Sequence, residues 1–384
     1  MRTKLINFVK NHRWIYFIYY VIASSLVKVL KVFVKIDDKM ILFVAGGGKV
    51  FSDSPQVLYE QMLKDNRFKD YKLIWAFRFP QKFPDSIEKV RIDTLKYYIV
   101  ALKARCWITN VSVERGLSFK RKGTFYFHTT HGTLPKLTGY DIIGIDSFSA
   151  FNEPKYDCSC AYSKYEAHIQ ESMFHLRPEQ ILLSGLPKLD RLMHISGSEV
   201  EKIKKQLGIP LDKKVILYAP TYRNEHYGPM TIEADFRKWK RILGNDYVVL
   251  FRAHAEAIIG TYQSETLDFV IDVSEYPDNI DLMEISDALI SDYSGIFFEY
   301  AVLNRPMFCY AYDYDDYVKA RGLYFDIREE LPGGFLNEDD LLQLIKQNPP
   351  EIMEKVGQFR DKFVTVYGNA TNICVDKIYD EINK

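Results

Sequence analysis

Short runs of consecutive apolar residues recur along the chain, and most of them are followed by a stretch with helical periodicity. In the first half the runs predict buried strands at residues 40–45, 71–76, 105–109 and 124–128, and residues 56–63 have the pattern of a helix. Runs without the alternation of a half-exposed strand are typical of parallel strands that helices cover on both faces. The first half therefore predicts an α/β domain built on a parallel sheet.

The second half repeats this pattern. Apolar runs predict further strands at residues 214–219, 248–252, 288–291 and 306–310. A break near residue 195, rich in turn-forming and polar residues, separates the two halves. Two doubly wound, Rossmann-like domains that face a shared cleft are the simplest architecture for this pattern. Such sheets bind ligands beyond the carboxyl ends of their strands.

The same pattern divides the chain into four segments. An amphipathic N-terminal segment at residues 1–38 precedes the two Rossmann-like domains, which we place at residues 39–195 and 196–348. The helical pattern of residues 349–384 predicts a C-terminal helix that crosses back onto the first domain.

The N-terminal segment is strongly basic, because residues 1–36 contain seven Lys and Arg side chains and no acidic residue. The apolar run at residues 14–27 is shorter than the ~20 residues that span a bilayer, and it lacks the small-residue cleavage site of a secretory signal. Val27, Leu30 and Val34 recur at helical spacing. Lysines occupy a neighbouring face of the same helix: Lys28, Lys31 and Lys35. The spacing predicts an amphipathic helix that lies on an anionic membrane surface.

Two other interpretations of this helix stay open. It could pack against the protein itself, or it could cross the membrane as a single span over residues 15–34. A span would bury Lys28 and Lys31 in hydrocarbon, which is costly and makes it the least favoured of the three interpretations.

The overall charge excludes one broad class of function. The chain has 384 residues, and its 51 Lys and Arg side chains balance 51 Asp and Glu side chains. A balanced chain lacks the basic field of a nucleic-acid-binding protein, so we expect no nucleic-acid partner. None of the five cysteines has Cys-x-x-Cys spacing, and Cys158 and Cys160 lie too close in sequence for an ordinary zinc pair. Reduced, buried thiols in a cytosolic protein are expected.

Polar residues follow several of the predicted strands, at the positions where a cleft would lie. His131, Gly132 and Thr133 come after the strand at residues 124–128. The glycine permits a tight turn, and an imidazole beside it can be presented at the end of a strand. A loop histidine is more often structural, so this motif by itself leaves the role of His131 open.

Cationic side chains follow two strands of the second half. Arg223 comes after the strand at residues 214–219, and Arg252 and His254 mark the end of the strand at residues 248–252. Side chains two positions apart point to the same side of an extended segment, so Arg252 and His254 could together hold a diphosphate by charge-assisted hydrogen bonds. A salt-bridged strand edge is the alternative interpretation.

A third cluster, at residues 291–295, follows the strand at residues 288–291 and precedes an apolar run at residues 296–303. Ser294 is placed to cap the helix predicted for that run, and the amides of its first turn could bind an anion. A capping serine without a ligand is the commoner arrangement. The glycines at residues 46–48 lack the spacing of a dinucleotide or P-loop motif, and no convincing carboxylate cage for Mg²⁺ is present. We therefore assign no metal.

In their order along the chain, these motifs resemble those of the CDP-glycerol glycerophosphotransferases, which build and prime teichoic acids and related capsule polymers. The resemblance covers roughly residues 40–330, and it is specific because the whole ordered series is present. The main motifs are His131-Gly132-Thr133, Ala219-Pro220-Thr221-Tyr222-Arg223, Arg252 with His254, and Ser291-Asp292-Tyr293-Ser294. Shorter matches are Ser52-Asp53-Ser54-Pro55, Trp75-Ala76, Gly185-Leu186-Pro187-Lys188-Leu189-Asp190 and residues 304–326.

The resemblance implies a GT-B-like fold and an enzyme attached peripherally to the cytoplasmic side of the cell membrane. It implies that the first domain serves the acceptor, that the second binds the CDP-linked donor, and that the two motif histidines, His131 and His254, are catalytic. The expected donor-binding residues are Arg223, Arg252, Ser291, Asp292, Ser294 and Gly295. The expected acceptor-side residues are Asp53, Gly132 and Thr133. No cofactor is expected.

The reaction implied is the attack of an acceptor hydroxyl on the β-phosphorus of CDP-glycerol or CDP-ribitol, with release of CMP. The acceptor would be a lipid-linked glycan or polyol-phosphate chain, and His131 would be the general base, with Asp53 the next candidate. A GT-B glycosyltransferase that uses a nucleotide sugar is the alternative enzyme. A peripheral membrane scaffold that only binds ligands is the alternative from a different class.

Two positions depart from the family pattern. Leu134-Pro135 stands where members commonly have Pro-Leu, which affects the path of the loop after His131. Gly295 replaces the second serine of the usual Ser-Asp-Tyr-Ser-Ser motif, which removes one hydroxyl that could bind phosphate.

Overall fold

Two parallel β-sheets form the framework of the protein. The computed structural model describes residues 13–130, 132, 135–142, 155–221, 233–253 and 268–384. The strands of the first sheet are β1 (Asp37–Val44), β2 (Lys72–Phe77), β3 (Lys89–Arg91), β4 (Ala104–Thr109), β5 (Phe125–His128), β6 (Cys158–Ala161) and β7 (Ile181–Leu183). Their spatial order is β3-β2-β1-β4-β5-β6-β7, and every pairing is parallel.

The second sheet is smaller and is also entirely parallel. Its strands are β8 (Lys214–Tyr218), β9 (Tyr247–Phe251), β10 (Val270–Asp272), β11 (Ala288–Ser291) and β12 (Met307–Cys309), in the order β10-β9-β8-β11-β12. The chain builds outward from β8 to β10 and then returns to the other side of β8. The topological switch point therefore lies between β8 and β11, and doubly wound sheets bind their ligands at such a point.

Helices connect and cover the strands. Those in the first half are α1 (Arg13–Phe33), α2 (Asp53–Lys64), α3 (Leu95–Lys103) and α4 (Lys164–Met173). Those in the second half are α5 (Gly197–Gln206), α6 (Phe236–Leu243), α7 (Asn279–Ile285), α8 (Ile296–Tyr300), α9 (Tyr314–Arg321), α10 (Ile327–Glu330), α11 (Glu338–Gln347), α12 (Glu351–Phe363) and α13 (Ala370–Ile382). A short 3-10 helix, Pro187–Met193, connects the two halves.

The predicted fold class is confirmed, since both halves are doubly wound parallel sheets. All eight predicted strands are present, and their bounds differ from the observed ones by at most three residues. Strands β3, β6, β7 and β10 were missed. Each has only three or four residues, and β6 consists of small residues (Cys158-Ser159-Cys160-Ala161), so none produces a long apolar run.

Helix α1 packs against the first domain through its apolar stripe of Val27, Leu30 and Val34, which we predicted to face the membrane. Val27 is buried, and Leu30 and Val34 pack against the core beneath them. The predicted orientation of the helix is therefore wrong. These aliphatic side chains fill a surface formed by neighbouring elements such as α3, which a local sequence pattern does not reveal.

Polar contacts fix the same face of α1. The Ser24 hydroxyl accepts a hydrogen bond from Ser118 N at 3.0 Å, and Lys31 Nζ donates to Lys120 O at 2.9 Å. Lys31 therefore contacts the protein.

The opposite face of α1 is apolar and exposed. Its large exposed side chains are Trp14, Phe17, Ile18, Tyr19, Val21, Ile22, Leu26, Val29, Val32 and Phe33. Among the described residues, the segment Trp14–Phe33 is the one helix long and apolar enough to cross a membrane by length and composition. The helix is thus apolar on both faces: one face packs against the first domain, and the other is exposed.

The C-terminal helix α13 packs against α2, β4 and β5 of the first domain. Asp190 caps its first turn from the connection between the halves, because its carboxylate accepts hydrogen bonds from Ala370 N at 3.0 Å and Thr371 N at 2.7 Å. A carboxylate at a helix N-terminus also interacts favourably with the helix dipole. This cap holds α13 on the first domain.

Candidate active site

The loop after β5 turns at Gly132, which has a φ of 89°. The Gly132 amide donates to Thr130 Oγ1 at 3.2 Å, and a Cβ at this position would lie 3.3 Å from the Tyr162 hydroxyl. A side chain here would be both strained and crowded, so the turn requires glycine. His131 and Thr133 lie outside the described residues.

Beyond that turn, the loop pairs with the second domain. Tyr324 N donates to Pro135 O at 2.8 Å, and Lys136 forms an isolated antiparallel bridge with Leu323. Proline supplies only its carbonyl to this pairing, so its missing N–H costs nothing there. The Leu134-Pro135 order is therefore compatible with a loop that joins the two domains beside the cleft.

In the second domain, Ser291 and Asp292 are buried and hold the loops after β8 and β11 together. The Ser291 hydroxyl donates to Ala219 O at 2.6 Å, and Asp292 Oδ1 accepts from Thr221 N at 2.8 Å. Asp292 Oδ1 also accepts from Tyr293 N at 2.6 Å. The structure therefore gives both side chains a role in fixing the ends of β8 and β11, with little surface for direct contact with a ligand.

Ser294 is partly exposed at the start of α8, whereas Gly295 is buried. The Ser294 hydroxyl accepts a hydrogen bond from Ile296 N at 3.3 Å, which satisfies one amide of the first turn. Helix α8 is only five residues long and continues as a 3-10 turn, Ala301–Leu303. Ser294 is thus the member of this motif that is best placed to meet a ligand.

Arg252, which follows β9, holds a neighbouring loop with its guanidinium. Nη1 donates to Val273 O at 2.7 Å and to Tyr276 O at 2.8 Å, both in the connection from β10 to α7. Burial lowers the pKa of Arg252, and nearby acidic groups offset part of that shift. Arg223 and His254 lie outside the described residues. Of the cationic and hydroxyl side chains predicted to bind the diphosphate directly, the structure therefore describes Arg252 and Ser294.

A buried ion cluster joins the two domains, and Asp53 is its one member that the motifs predict as a site residue. Lys188 Nζ lies 2.7 Å from Glu299 Oε1 and 3.3 Å from Asp53 Oδ2. Asp53 begins α2 in the first domain, whereas Glu299 lies on α8 in the second. The side chains of Lys188 and Glu299 are each only 9% exposed, so these charges are largely removed from water.

The cluster shifts the ionisation of its members. Burial alone lowers the pKa of the Lys188 ammonium, but the charges of Asp53 and Glu299 more than offset this effect, and the pKa of Lys188 is raised. Burial raises the pKa of the Glu299 carboxyl, and Lys188 offsets only part of that rise. One ammonium thus serves two carboxylates, which makes the cluster sensitive to loss of the lysine.

Asp53 is held firmly by its surroundings. Its φ of 67° is unusual for a residue other than glycine, and its Oδ1 accepts a hydrogen bond from Ser54 N at 2.5 Å. The Ser54 hydroxyl in turn accepts from Lys188 N at 3.3 Å. The predicted acceptor-side carboxylate is therefore part of the contact between the domains.

Arg191 extends this contact to α7. Its guanidinium pairs with Glu284 at 2.6 Å and with Asp278 at 3.0 Å, and it also bonds Asp281. The one feature of the sequence that points to this cluster is the motif at residues 185–190. It belongs to the family resemblance but by itself suggests no role for Lys188. No local pattern shows that the partners of Lys188 lie 135 and 111 residues away.

Two doubly wound domains, joined by loops from the carboxyl edges of their sheets, define a GT-B-like protein with a cleft between the domains. In the part of the chain that the structure describes, no group of three His, Cys, Asp or Glu side chains is arranged to hold a metal ion. The chain belongs to the CDP-Glycerol:Poly(glycerophosphate) glycerophosphotransferase family, which it matches over residues 26–380. The family resemblance seen in the motifs is confirmed.

Relatives with assigned activities support this membership. The chain is 33% identical to the teichoic acid glycerol-phosphate transferase of Staphylococcus aureus over 372 residues, which cover 90% of this chain and 94% of that protein. It is 34% identical to the teichoic acid poly(glycerol phosphate) polymerase of Staphylococcus epidermidis, covering 90% of this chain. It spans only about half of that longer relative (51%).

Solved structures show the same fold. The wall teichoic acid polymerase TagF superimposes with a TM-score of 0.83 at 32% identity, covering 94% of this chain and 93% of that one. UDP-GlcNAc 2-epimerase from Neisseria meningitidis superimposes with a TM-score of 0.53 at 16% identity, covering 89% of this chain and 100% of that one, which shows a shared fold alone.

Proposed function

We propose that this protein transfers glycerol phosphate or ribitol phosphate from a CDP-linked donor to a hydroxyl of a lipid-linked teichoic acid or capsule-type acceptor. The observation that carries the proposal is the family match over residues 26–380, on a fold whose two sheets direct their carboxyl-edge loops into one cleft. A TagF structure obtained after soaking with CDPG adds support for a CDP-glycerol donor.

In the proposed reaction, the acceptor oxygen forms a bond to the β-phosphorus while the bond from that phosphorus to the bridging oxygen breaks. CMP leaves with the electron pair of the broken bond. His131, in the loop after β5, takes the proton of the attacking hydroxyl, which typically contributes about 10²–10⁴-fold to the rate. Arg252, His254 and Ser294, with help from Arg223, stabilise the charge on the diphosphate.

The buried side chains of Ser291 and Asp292 support the proposed diphosphate-binding residues indirectly. They hold the ends of β8 and β11 at a fixed separation, and Gly295, directly after Ser294, is the N-cap residue of α8. Gly132 and Thr133 shape the acceptor side of the cleft, and Asp53 anchors that side to the second domain through Lys188.

A donor screen tests the proposal. We expect the full-length protein to release CMP and add one or more polyol phosphates to a lipid-linked glycan when supplied with CDP-glycerol or CDP-ribitol. UDP-sugars should give no product, as judged by mass spectrometry of the acceptor. Transfer of sugar from a UDP-sugar, with none from either CDP-polyol, would instead establish the glycosyltransferase alternative.

We also propose that the exposed apolar face of α1 attaches the enzyme to the cytoplasmic surface of the cell membrane. Large apolar side chains on a helix that already rests on the protein suit partial insertion into a lipid surface, and the basic N-terminal segment suits anionic lipids. Attachment there would keep the enzyme at the surface where a lipid-linked acceptor is confined.

The α1 face makes a specific prediction. Replacing Ile18, Ile22 and Leu26 with glutamine should release the protein from anionic vesicles in a sedimentation assay, because it removes exposed apolar surface. The melting temperature should stay unchanged, since these side chains lie on the face away from the core. Replacing Lys28 and Lys35 with glutamine should weaken binding by about 1 kcal/mol per charge and make it less sensitive to salt. Vesicle binding that survives both sets of changes would contradict attachment through α1.

A further inference from the structure

Two arginines of the first domain converge on the glycine turn that follows β1. Arg78 Nε and Arg115 Nη1 each donate to Gly47 O, at 3.1 Å in both cases. Arg78 directly follows β2, and Arg115 lies in the loop after β4, so three neighbouring strand ends contribute to one position. None of the motifs that identify the family includes either arginine.

The charge at this position is not balanced. The two guanidinium nitrogens lie within about 6 Å of each other, since both bond the same carbonyl oxygen. Asp93 pairs with Arg115 at 2.8 Å. Within the described ranges, no carboxylate forms an ion pair with Arg78, and the neighbouring Lys49 is exposed. Both carboxylate oxygens of Asp93 bond Arg115, so the uncompensated positive charge here is that of Arg78 and Lys49, and it favours an anion beside the turn.

Arg78 is exposed beside the turn, whereas the side chain of Arg115 is only 17% exposed. Gly47 has a φ of 61°, and a Cβ placed on it would lie 3.7 Å from Arg78 Nη2 and 3.8 Å from Arg115 Nη1. A side chain at this position would therefore contact both guanidinium groups. A hydrogen bond to the residue after β4 also fixes the turn, because Gly46 N donates to Asn110 Oδ1 at 3.0 Å. The glycine turn and the two arginines thus form a preformed, positively charged site that hydrogen bonds hold in place.

The position lies between the apolar helix and the cleft. The Tyr16 hydroxyl of α1 donates to Gly116 O at 3.3 Å, directly beside Arg115. The exposed apolar face of α1 therefore begins next to the two arginines. In the other direction, β1 is two strands from β5 in the sheet, a distance of about 10 Å. A molecule bound at the arginines could thus reach the lipid surface at one end and the loop that contains His131 at the other.

We propose that Arg78 and Arg115 bind a phosphate or diphosphate group of the lipid-linked acceptor and so position its glycan end in the cleft. This assignment rests on the proposed function and adds to it the acceptor subsite. Guanidinium groups suit such a ligand because their planar donors match phosphate oxygens in pairs. The same chemistry would fit a phospholipid headgroup, which the experiment distinguishes.

The test compares two acceptors that differ only in the diphosphate group: an alkyl diphosphate-linked glycan and the neutral alkyl glycoside of the same glycan, both in detergent micelles. The variant is Arg78→Gln, which removes the charge of an exposed residue and keeps a donor for Gly47 O. Its KM for the diphosphate-linked acceptor should rise about tenfold or more, with kcat unchanged. Its KM for the neutral glycoside and its affinity for the donor should equal those of the wild type.

Arg91→Gln is the matched control. Arg91 is an exposed arginine at the end of β3, on the same edge of the sheet, and its side chain does not contact the glycine turn. Its kinetics with both acceptors should match the wild type. Equal KM values for Arg78→Gln and the wild type with the diphosphate-linked acceptor would overturn the assignment, as would equal rises with both acceptors.

Two further measurements distinguish an acceptor subsite from a phospholipid-headgroup site. Sedimentation with anionic vesicles that contain no acceptor should be unaffected by Arg78→Gln, and a loss of vesicle binding without a change in the micellar KM would assign the arginines to phospholipid headgroups instead. Equilibrium titration of the wild type and Arg78→Gln with the two glycolipids, without donor, measures how much acceptor affinity depends on Arg78, independently of turnover. Tighter, Arg78-dependent binding of the diphosphate form in a protein that transfers nothing would refute the proposed reaction while supporting the anion site.

Discussion

Substitution of alanine for His131 is expected to abolish polyol-phosphate transfer while leaving donor affinity nearly unchanged. His131 belongs to the first domain, whereas Arg252 and Ser294, which are proposed to hold the diphosphate, belong to the second. A base that faces the donor across the cleft removes the acceptor proton but contributes little to binding the nucleotide. The expected loss in kcat is about 10²–10⁴-fold, measured with a lipid-linked acceptor, while calorimetric titration with CDP-glycerol or CDP-ribitol reports the affinity.

Two further variants complete this experiment. His254→Ala should reduce both transfer and donor affinity, because His254 is proposed to contact the diphosphate. His168→Ala should change neither, since its side chain is 87% exposed on α4. The wild-type rate should also fall on the acidic side of the pH profile, near the ordinary histidine pKa of ~6.5, as the base becomes protonated. Substantial transfer by His131→Ala would exclude this histidine as the base and leave Asp53 as the next candidate.

Replacing Lys188 with methionine is expected to destabilise the protein by about 3–5 kcal/mol, the usual effect of removing one partner from a buried ion pair. Methionine fills a similar volume but leaves Asp53 and Glu299 without their shared cation. Unfolding by denaturant, followed by circular dichroism, measures the change. Lys205→Met is the matched control, because Lys205 pairs with Glu201 on the exposed surface of α5 and should contribute less than about 1 kcal/mol.

The destabilisation should also depend on pH. Burial already raises the pKa of Glu299 in the folded wild type, and without Lys188 the pKa rises further. Above the unfolded-state pKa of about 4.3, the folded variant then binds more protons than the unfolded chain, so its stability falls as the pH increases through that window. The difference from wild type should be smaller at pH 5 than at pH 8. A pH-independent difference would show that the loss comes from packing and not from the uncompensated carboxylates.

The cluster has consequences for catalysis as well as for stability. Asp53 and Glu299 belong to different domains, so Lys188 helps to set how the two domains face each other. Glu299 lies on α8, whose first turn is bonded by Ser294. We therefore expect a change at Lys188 to reach the loop at Ser294 through this short helix.

The fold was largely predictable because its central strands are continuous apolar runs. Residues 40–44 of β1 and 215–218 of β8 are buried between layers of helices, so every side chain in these parts is apolar and the pattern is visible locally. The motifs that identify the family were predictable for a related reason: each follows directly after such a strand, where a parallel sheet places its ligand-binding loops. The short strands β6 and β7 were not predictable, since three or four residues give no periodicity.

Local sequence patterns were enough to establish the fold class, the order of the main strands along the chain and the set of residues that resemble the family motifs. Only the assembled fold shows which face of α1 contacts the protein, which side chains of the Ser291 motif are buried, and which partners Lys188 and Arg78 have. Periodicity and propensity act over a few neighbouring residues. An ion pair such as Lys188 with Glu299 depends instead on groups more than a hundred positions apart, which meet only after both sheets have formed.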